Sequence, residues 1–157
     1  MVVTLNKQEV RLAKFIANER AEFNKHSGVK EAKVGKQDSS VIEFEGMCGE
    51  IAFCKLFNIY PDLRVEVVTQ LNDDGDCTYK GKRVDVKTTS YKNGKLLTAP
   101  WKKDNVDLYA LMIGESPTYE FKGFAHANEL KSEDKLQFLG YNEVYCMEQH
   151  QFNTKEK

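Results

Sequence analysis

Two aspartates and a lysine, Asp76, Asp85 and Lys87, lie within one short stretch of the sequence, residues 74–89. On both sides of residues 80–81 apolar residues alternate with polar ones, as they do in two strands joined by a tight turn. A hairpin folded at this turn sets Asp76 opposite Asp85, where two like charges repel and need a compensating cation. Lys87 would project from the same strand face as Asp85. The stretch therefore indicates an active site that binds a divalent metal.

The register of this hairpin depends on the length of its turn. A two-residue turn pairs Cys77 with Val84 and so brings the two aspartates together. Such a turn needs positive φ, for which Lys80 is a poor residue. A three-residue loop with a bulge would shift the register and separate the aspartates. Both arrangements stay open at the level of the sequence.

A helix predicted from Ser40 to a point before Pro61 supplies a further carboxylate. Its apolar stripe consists of Phe44, Met47, Cys48, Ile51 and Ala52. Glu50 lies at the border of this stripe, where a carboxylate is costly unless it is paired or bound to a metal. Glu43 and Glu45 lack a full apolar surround, and we expect them to be solvated.

The Asp-x-Lys pattern of Asp85 carries little information by itself. Similar Asp/Glu-x-Lys triplets begin at Glu31, Glu120, Glu129 and Glu133. Asp85 differs because its triplet combines a predicted strand, an aspartate across a hairpin and a preceding helix with a boundary glutamate. The combination, rather than the triplet, predicts the site.

Together these residues resemble the PD-(D/E)xK nuclease superfamily, which has the restriction-endonuclease-like fold. The resemblance rests on residues 49–50, 75–76 and 84–89, and more loosely on 124–130. It departs from the family pattern at Gly75, where a proline would precede the aspartate. The family implies a central sheet with flanking helices, a divalent metal and phosphodiester hydrolysis.

Matched residue by residue, the resemblance implies that Asp76 and Asp85 bind Mg²⁺ or Mn²⁺, with the Val86 carbonyl as a third ligand. Glu50 would be a further direct or water-mediated ligand. Magnesium prefers hard oxygen ligands and keeps several waters, which agrees with this set. Lys87 would orient the attacking water and stabilise the developing negative charge.

A nuclease also needs a surface that follows the phosphate backbone. Basic residues that could form it are Lys82, Arg83, Lys92, Lys102 and Lys103. Trp101 could stack on a base or could belong to the core. Thr89 could hold a water or a phosphate or could be an ordinary strand threonine. The same charges could equally be solvated faces without a partner.

The length, composition and net charge of the chain limit the remaining classes of protein. Its 157 residues, 41% of them hydrophobic, suit one domain with a core of its own. The formal net charge of -1 means that a nucleic-acid partner must be met by a local basic patch. With no secretion signal or membrane-spanning run, the sequence predicts a cytoplasmic protein.

Two helices followed by a mostly antiparallel meander predict an α/β domain of the mixed α+β kind, with a central mixed sheet flanked by helices. Residues 6–26 should form the first helix, capped by Asn6 and ended by Gly28. Other predicted elements are strands at 63–69, 95–98, 106–113, 119–125 and 144–147, and a short helix at 128–131. A turn at residues 93–94 should return 95–98 antiparallel to the strand that carries Asp85.

The cysteines show no pair at zinc-binding spacing, so we expect them to be reduced and mostly buried, with an iron-sulfur cluster as the sharper alternative.

Taken together, the site residues and the resemblance predict a metal-dependent nuclease that acts on DNA more readily than on RNA and that could form a homodimer. A non-catalytic module that binds nucleic acid or protein on the same fold is the alternative.

Overall fold

A mixed five-stranded sheet forms the centre of the protein in the computed structural model, which describes residues 1–28, 38–65, 74–102 and 105–153. In chain order the elements are β1 (Val2–Thr4), α1 (Lys7–Ser27), α2 (Ser39–Phe57), β2 (Cys77–Tyr79), β3 (Lys82–Thr89), β4 (Leu96–Thr98), β5 (Leu108–Glu115), β6 (Thr118–His126), α3 (Ala127–Leu130), β7 (Leu136–Phe138) and β8 (Glu143–Met147). The architecture is therefore mixed α+β, as predicted.

The central sheet has the strand order β1-β6-β5-β3-β2, and its one parallel pair is β3 with β5. One face is covered by α1 and α2, which pack against each other and share a hydrophobic core with the sheet. The other face packs on α3 and on a small antiparallel sheet of order β4-β8-β7. None of the helices in the described ranges is both long enough and apolar enough to cross a bilayer.

Local signals set the bounds of both long helices. Asn6 accepts a hydrogen bond from the Glu9 amide at 2.9 Å, while the Glu9 carboxylate accepts one from the Asn6 amide at 2.7 Å. This reciprocal cap begins α1, and Gly28 ends it with a φ of 67°. Asp38 caps α2 at its start, and Asn58 ends it in the left-handed region.

An aromatic cluster joins α2 to the sheet. It consists of Phe53, Phe57, Tyr79, Phe121 and Phe124, with ring centroids between 4.8 and 6.5 Å apart. Edge-to-face and tilted ring pairs add to the free energy of burial, so this cluster fixes α2 over β2 and β6. The helix that carries Glu50 is thus held by contacts at its C-terminal half.

Two predicted elements differ in the structure. The turn at residues 93–94 does not return β4 against β3, because β2 and β5 already occupy both edges of β3. Leu96 is fully buried in the second core instead, and β4 pairs with β8.

The predicted strand at 63–69 does not begin at Leu63, since the Arg20 side chain binds the carbonyls of residues 62 and 64. Its residues 66–69 lie outside the described ranges.

The four cysteines are all buried, which confirms the predicted burial, and no disulfide joins them. The short strands β1 and β7 were not predicted.

Gly49 sets the distance between α2 and β3. A Cβ added there would overlap the Thr88 hydroxyl, whereas one added at Gly46 would meet nothing within 4 Å. The close approach of α2 to β3 therefore depends on the missing side chain at Gly49.

We expect Gly49→Ala to lower the free energy of unfolding by about 1–3 kcal/mol, because the added methyl group forces α2 away from β3. Gly46→Ala is the matched control and should be neutral or stabilising by up to about 1 kcal/mol, the ordinary gain in helix propensity. Urea unfolding of both variants measures the difference. Equal effects of the two substitutions would contradict this account.

Candidate active site at the edge of strand β3

The hairpin has the register that the two-residue turn predicts. Cys77 pairs with Val84, and Tyr79 pairs with Lys82. Lys80 and Gly81 form the turn with φ values of 48° and 78°. A lysine thus takes the positive φ that its side chain disfavours, and the register that brings the aspartates together is confirmed.

Asp76 immediately precedes β2, and its hydrogen bonds to β3 lie on either side of Asp85. Its amide donates to the Val84 carbonyl at 2.7 Å, and its Oδ2 accepts from the Val86 amide at 2.6 Å. The carboxylate therefore continues the hydrogen bonding of β2 by one more residue. Asp76 and Asp85 are neighbours, as predicted, although the ladder itself stops at Cys77.

Asp85 is held by two ammonium groups. Its side chain is buried, with 3% of its surface exposed. Lys87 Nζ lies 2.5 Å from Oδ1, and Lys102 Nζ lies 2.7 Å from Oδ2. Burial raises the pKa of Asp85, but Lys87 and Lys102 lower it by more, so this pKa lies well below its usual range. Asp85 is therefore ionised.

Glu50 reaches the same place from α2 and is paired with Arg20 of α1. Arg20 Nη1 lies 3.2 Å from Glu50 Oε2, while Nη2 and Nε donate to the carbonyls of Asp62 and Arg64 at 2.6 and 3.0 Å. Burial raises the pKa of Glu50 to about 7, Arg20 opposes this shift, and the charge of Asp85 adds to it. Glu50 therefore exchanges its proton near neutral pH.

Burial also raises the pKa of Asp76 well above its usual value, and the charges of Glu50 and Asp85 raise it further. The charges of the three carboxylates therefore influence one another's pKa values. We call the three carboxylates together with Arg20, Lys87 and Lys102 the carboxylate cluster. The structure brings together all four residues predicted as catalytic, Glu50, Asp76, Asp85 and Lys87.

The cluster offers the oxygen donors that Mg²⁺ prefers, in a setting where a bound cation would relieve repulsion between carboxylates. The donor types therefore fit a divalent metal. Within the described ranges, however, no three or more His, Cys, Asp or Glu side chains are already arranged around one metal position. Both oxygens of Asp85 face lysines. A metal at Asp85 would therefore share this carboxylate with the two ammonium groups.

The residues predicted to bind nucleic acid lie in different settings. Lys102 lies inside the carboxylate cluster rather than on an outer face. Arg83 lies between two carboxylates, 3.5 Å from Asp74 and 3.6 Å from Asp107. Lys92 is exposed, and Lys82 is half-buried.

Trp101 is 43% exposed, so it is not a core residue and keeps a surface that a base could stack on. Thr89 is half-buried at the end of β3, and its hydroxyl accepts a hydrogen bond from the Tyr91 amide at 3.3 Å. This contact is the ordinary role of a strand threonine. Lys103 lies outside the described ranges.

Sequence reasoning missed Arg20 and placed Glu45 wrongly. Arg20 follows Ile16 and Ala17 at helical spacing, so a charge on the apolar stripe of α1 was a signal that matched Glu50 on α2. Glu45 is not solvated, because it accepts hydrogen bonds from the Tyr119 hydroxyl at 2.5 Å and from the Ser116 amide at 3.1 Å.

A family model matches most of the chain. The model of a family described as a family of unknown function (DUF5843) matches residues 1–142 of the chain. No curated protein and no solved structure matches it.

The raised pKa of Glu50 makes stability depend on pH. Folded Glu50 keeps its proton to about pH 7, whereas in the unfolded chain it loses its proton near 4.5, so stability falls as pH rises through this window. We expect the decrease to reach about 3 kcal/mol and to become smaller in Glu50→Gln. Urea unfolding between pH 5 and 8 in a chelator measures it, with Glu120→Gln as the surface control. The same pH slope in wild type and Glu50→Gln would refute the assignment.

Removal of Arg20 should destabilise the protein more than removal of an exposed arginine. Arg20→Met leaves Glu50 without its cation and two carbonyls without their donor, so we expect a loss of about 2–4 kcal/mol at pH 8. Arg64→Met is the control, because the Arg64 side chain is 67% exposed and its pair with Asp62 should contribute less than about 1 kcal/mol. Thermal and urea unfolding would show equal losses if Arg20 were an ordinary surface residue.

Proposed function

Because the chain belongs to the DUF5843 family, whose function is unknown, we propose its function from the site: a metal-dependent nuclease of the restriction-endonuclease-like fold that hydrolyses phosphodiester bonds in DNA. The observation that carries this proposal is the carboxylate cluster. Its carboxylates come from α2, from the residue that precedes β2 and from β3, and Lys87 of β3 lies beside them.

The cost of this arrangement supports a functional role. Partly buried carboxylates that repel one another lower stability unless their charge is used or compensated. Two of the three, Glu50 and Asp76, have raised pKa values, so their ionised forms are less favourable in the folded protein than in water. Sites of this kind are where titratable groups are tuned for chemistry.

In the proposed reaction Glu50, Asp76 and Asp85, with the Val86 carbonyl, would hold Mg²⁺ or Mn²⁺. Bound there, the metal would lower the pKa of a coordinated water and stabilise negative charge on the phosphate. Lys87, 2.5 Å from Asp85, is placed to orient that water and to stabilise charge on the transferred group. Arg20 fixes the orientation of Glu50, and the Val86 amide fixes that of Asp76.

The exposed Trp101 and Lys92 support a nucleic-acid substrate, since an aromatic face and a cation suit a base and a phosphate. The central mixed sheet, with α2 packed on β3, is compatible with the proposed fold.

One observation favours the alternative, a non-catalytic module that binds nucleic acid or protein. Asp85 is already neutralised by two lysines, so the cluster is balanced by the chain's own cations. Such a module would bind DNA without cutting it, and metal would change neither its stability nor its binding.

Incubation with single-stranded, duplex and branched DNA in Mg²⁺ or Mn²⁺ tests the proposal. We expect cutting that a chelator abolishes and that Asp85→Asn and Lys87→Met each reduce by at least about a hundredfold, because they remove a metal ligand and the lysine that positions the water.

The second Glu-x-Lys triplet on a strand supplies the controls. Glu120 and Lys122 form an ion pair on β6 at 2.8 Å, and Glu120→Gln and Lys122→Met should cut at the wild-type rate. Binding without cutting on every substrate would reject the nuclease and support the binding module.

A further inference from the structure

Strand β3 ends in a turn that carries an exposed aromatic side chain. Tyr91 follows Thr89, the last residue of β3, by two positions, and it is 67% exposed. Asp85, Lys87 and Thr89 lie on one face of β3, because side chains alternate between the two faces of a strand. A rise of about 3.3 Å per residue puts Thr89 about 13 Å along the strand from Asp85. Tyr91 therefore lies just beyond the end of the strand that carries two of the candidate catalytic residues.

Hydrogen bonds from both sides fix the backbone of this turn. The Thr89 hydroxyl accepts from the Tyr91 amide at 3.3 Å, and the Tyr91 carbonyl accepts from the Gly94 amide at 2.8 Å. Gln149 Nε2 donates to the carbonyls of Lys92 and Gly94 at 3.0 and 2.9 Å. A Cβ added at Gly94 would overlap the Thr89 side chain, so the turn packs closely against the end of β3. Tyr91 is thus presented by a preorganised backbone, which lowers the entropy cost of binding a ligand.

The charges around the turn suit an anionic strand. Carboxylates near it are paired with lysines: Glu148 lies 3.0 Å from Lys95, and Glu120 lies 2.8 Å from Lys122. Lys92, directly after Tyr91 in the chain, adds an exposed positive charge. An aromatic ring beside cations is the combination with which proteins bind single strands, the ring stacking on a base and the cations following the phosphates.

A second exposed aromatic residue lies where the chain returns to the carboxylate cluster. Trp101, 43% exposed, directly precedes Lys102, whose ammonium group lies 2.7 Å from Asp85 Oδ2. Tyr91 belongs to the connection between β3 and β4, and Trp101 belongs to the connection between β4 and β5. Each of the two connections that follow β3 therefore carries an aromatic side chain that a base could stack on.

We propose that Tyr91 stacks on an unpaired base of the substrate and thereby makes the protein select single-stranded over duplex DNA. This inference rests on the proposed nuclease function. The strand length from Asp85 to Thr89 corresponds to about four nucleotides at a rise of 3.4 Å each, and to fewer in an extended strand. In a duplex the bases are paired and stacked on one another, so a surface ring cannot stack on one unless the helix opens. Gln149 is a positioning residue, because it fixes the turn that carries Tyr91.

Binding of a labelled oligothymidylate of about 12 nucleotides, measured by fluorescence anisotropy in a chelator and again in Ca²⁺, tests the proposal. Tyr91→Ala should weaken binding at least about tenfold, whereas Tyr91→Phe keeps the ring and should stay within about twofold of wild type. Tyr141→Ala is the matched control and should bind as wild type does. Tyr141 is 61% exposed and lies between β7 and β8, away from strand β3.

A duplex of the same length gives the second readout. Tyr91→Ala should leave duplex binding within about twofold of wild type, because the ring has no unpaired base to stack on there. Gln149→Leu removes both donors to the turn and should weaken single-strand binding about threefold or more, with duplex binding unchanged. A general loss of folding would instead weaken binding to both substrates.

The outcomes separate this inference from the function on which it rests. Equal single-strand binding by Tyr91→Ala and Tyr141→Ala, an equal loss on single strand and duplex, or no recovery in Tyr91→Phe overturns the inference. Metal-dependent cutting of DNA by the wild type then leaves the nuclease function standing. Absence of both DNA binding and DNA cutting in the wild type overturns both.

Discussion

Electrostatic repulsion among Glu50, Asp76 and Asp85 is the constraint on which the arrangement of this protein depends. Three carboxylates beside β3 are compatible with a folded chain because three cations, Arg20, Lys87 and Lys102, and the Val86 amide contact them. The helix α1 contributes Arg20, and the segment after β4 contributes Lys102. Residues 30 and 17 positions apart, Arg20 with Glu50 and Lys102 with Asp85, are thus joined by charge. Buried pairs of this kind fix geometry more than they add stability.

The sequence was sufficient for the elements whose signals are local. Asn6 as the cap residue predicted the start of α1, and alternation of apolar residues predicted both strands of the hairpin. Glu50 could be selected because a carboxylate beside an apolar helical stripe is costly wherever the helix packs. The candidate site followed from these elements before any tertiary contact was known.

The elements that the sequence did not predict are those in which a long-range contact and a local preference favour different conformations of the same segment. The turn at residues 93–94 is a strong local signal for a hairpin, yet β5 takes the edge of β3 and Leu96 is buried elsewhere. Segment 62–64 gives its carbonyls to Arg20 instead of to a neighbouring strand. Lys80 accepts a left-handed conformation that costs about 1–2 kcal/mol, because the buried side chains around it fix the register. In each case a long-range contact outweighs a local preference.

The path of the chain after β3 has a mechanical consequence. The chain leaves the central sheet, adds β4 to the small sheet on one face, and returns as β5 beside β3. Lys102 follows the last residue of β4 by four positions, and its ammonium group lies 2.7 Å from Asp85 Oδ2. Leu96 of β4 and Met147 of β8 are buried in the second core, against the central sheet. A short segment of chain therefore joins that apolar core to one cation of the carboxylate cluster.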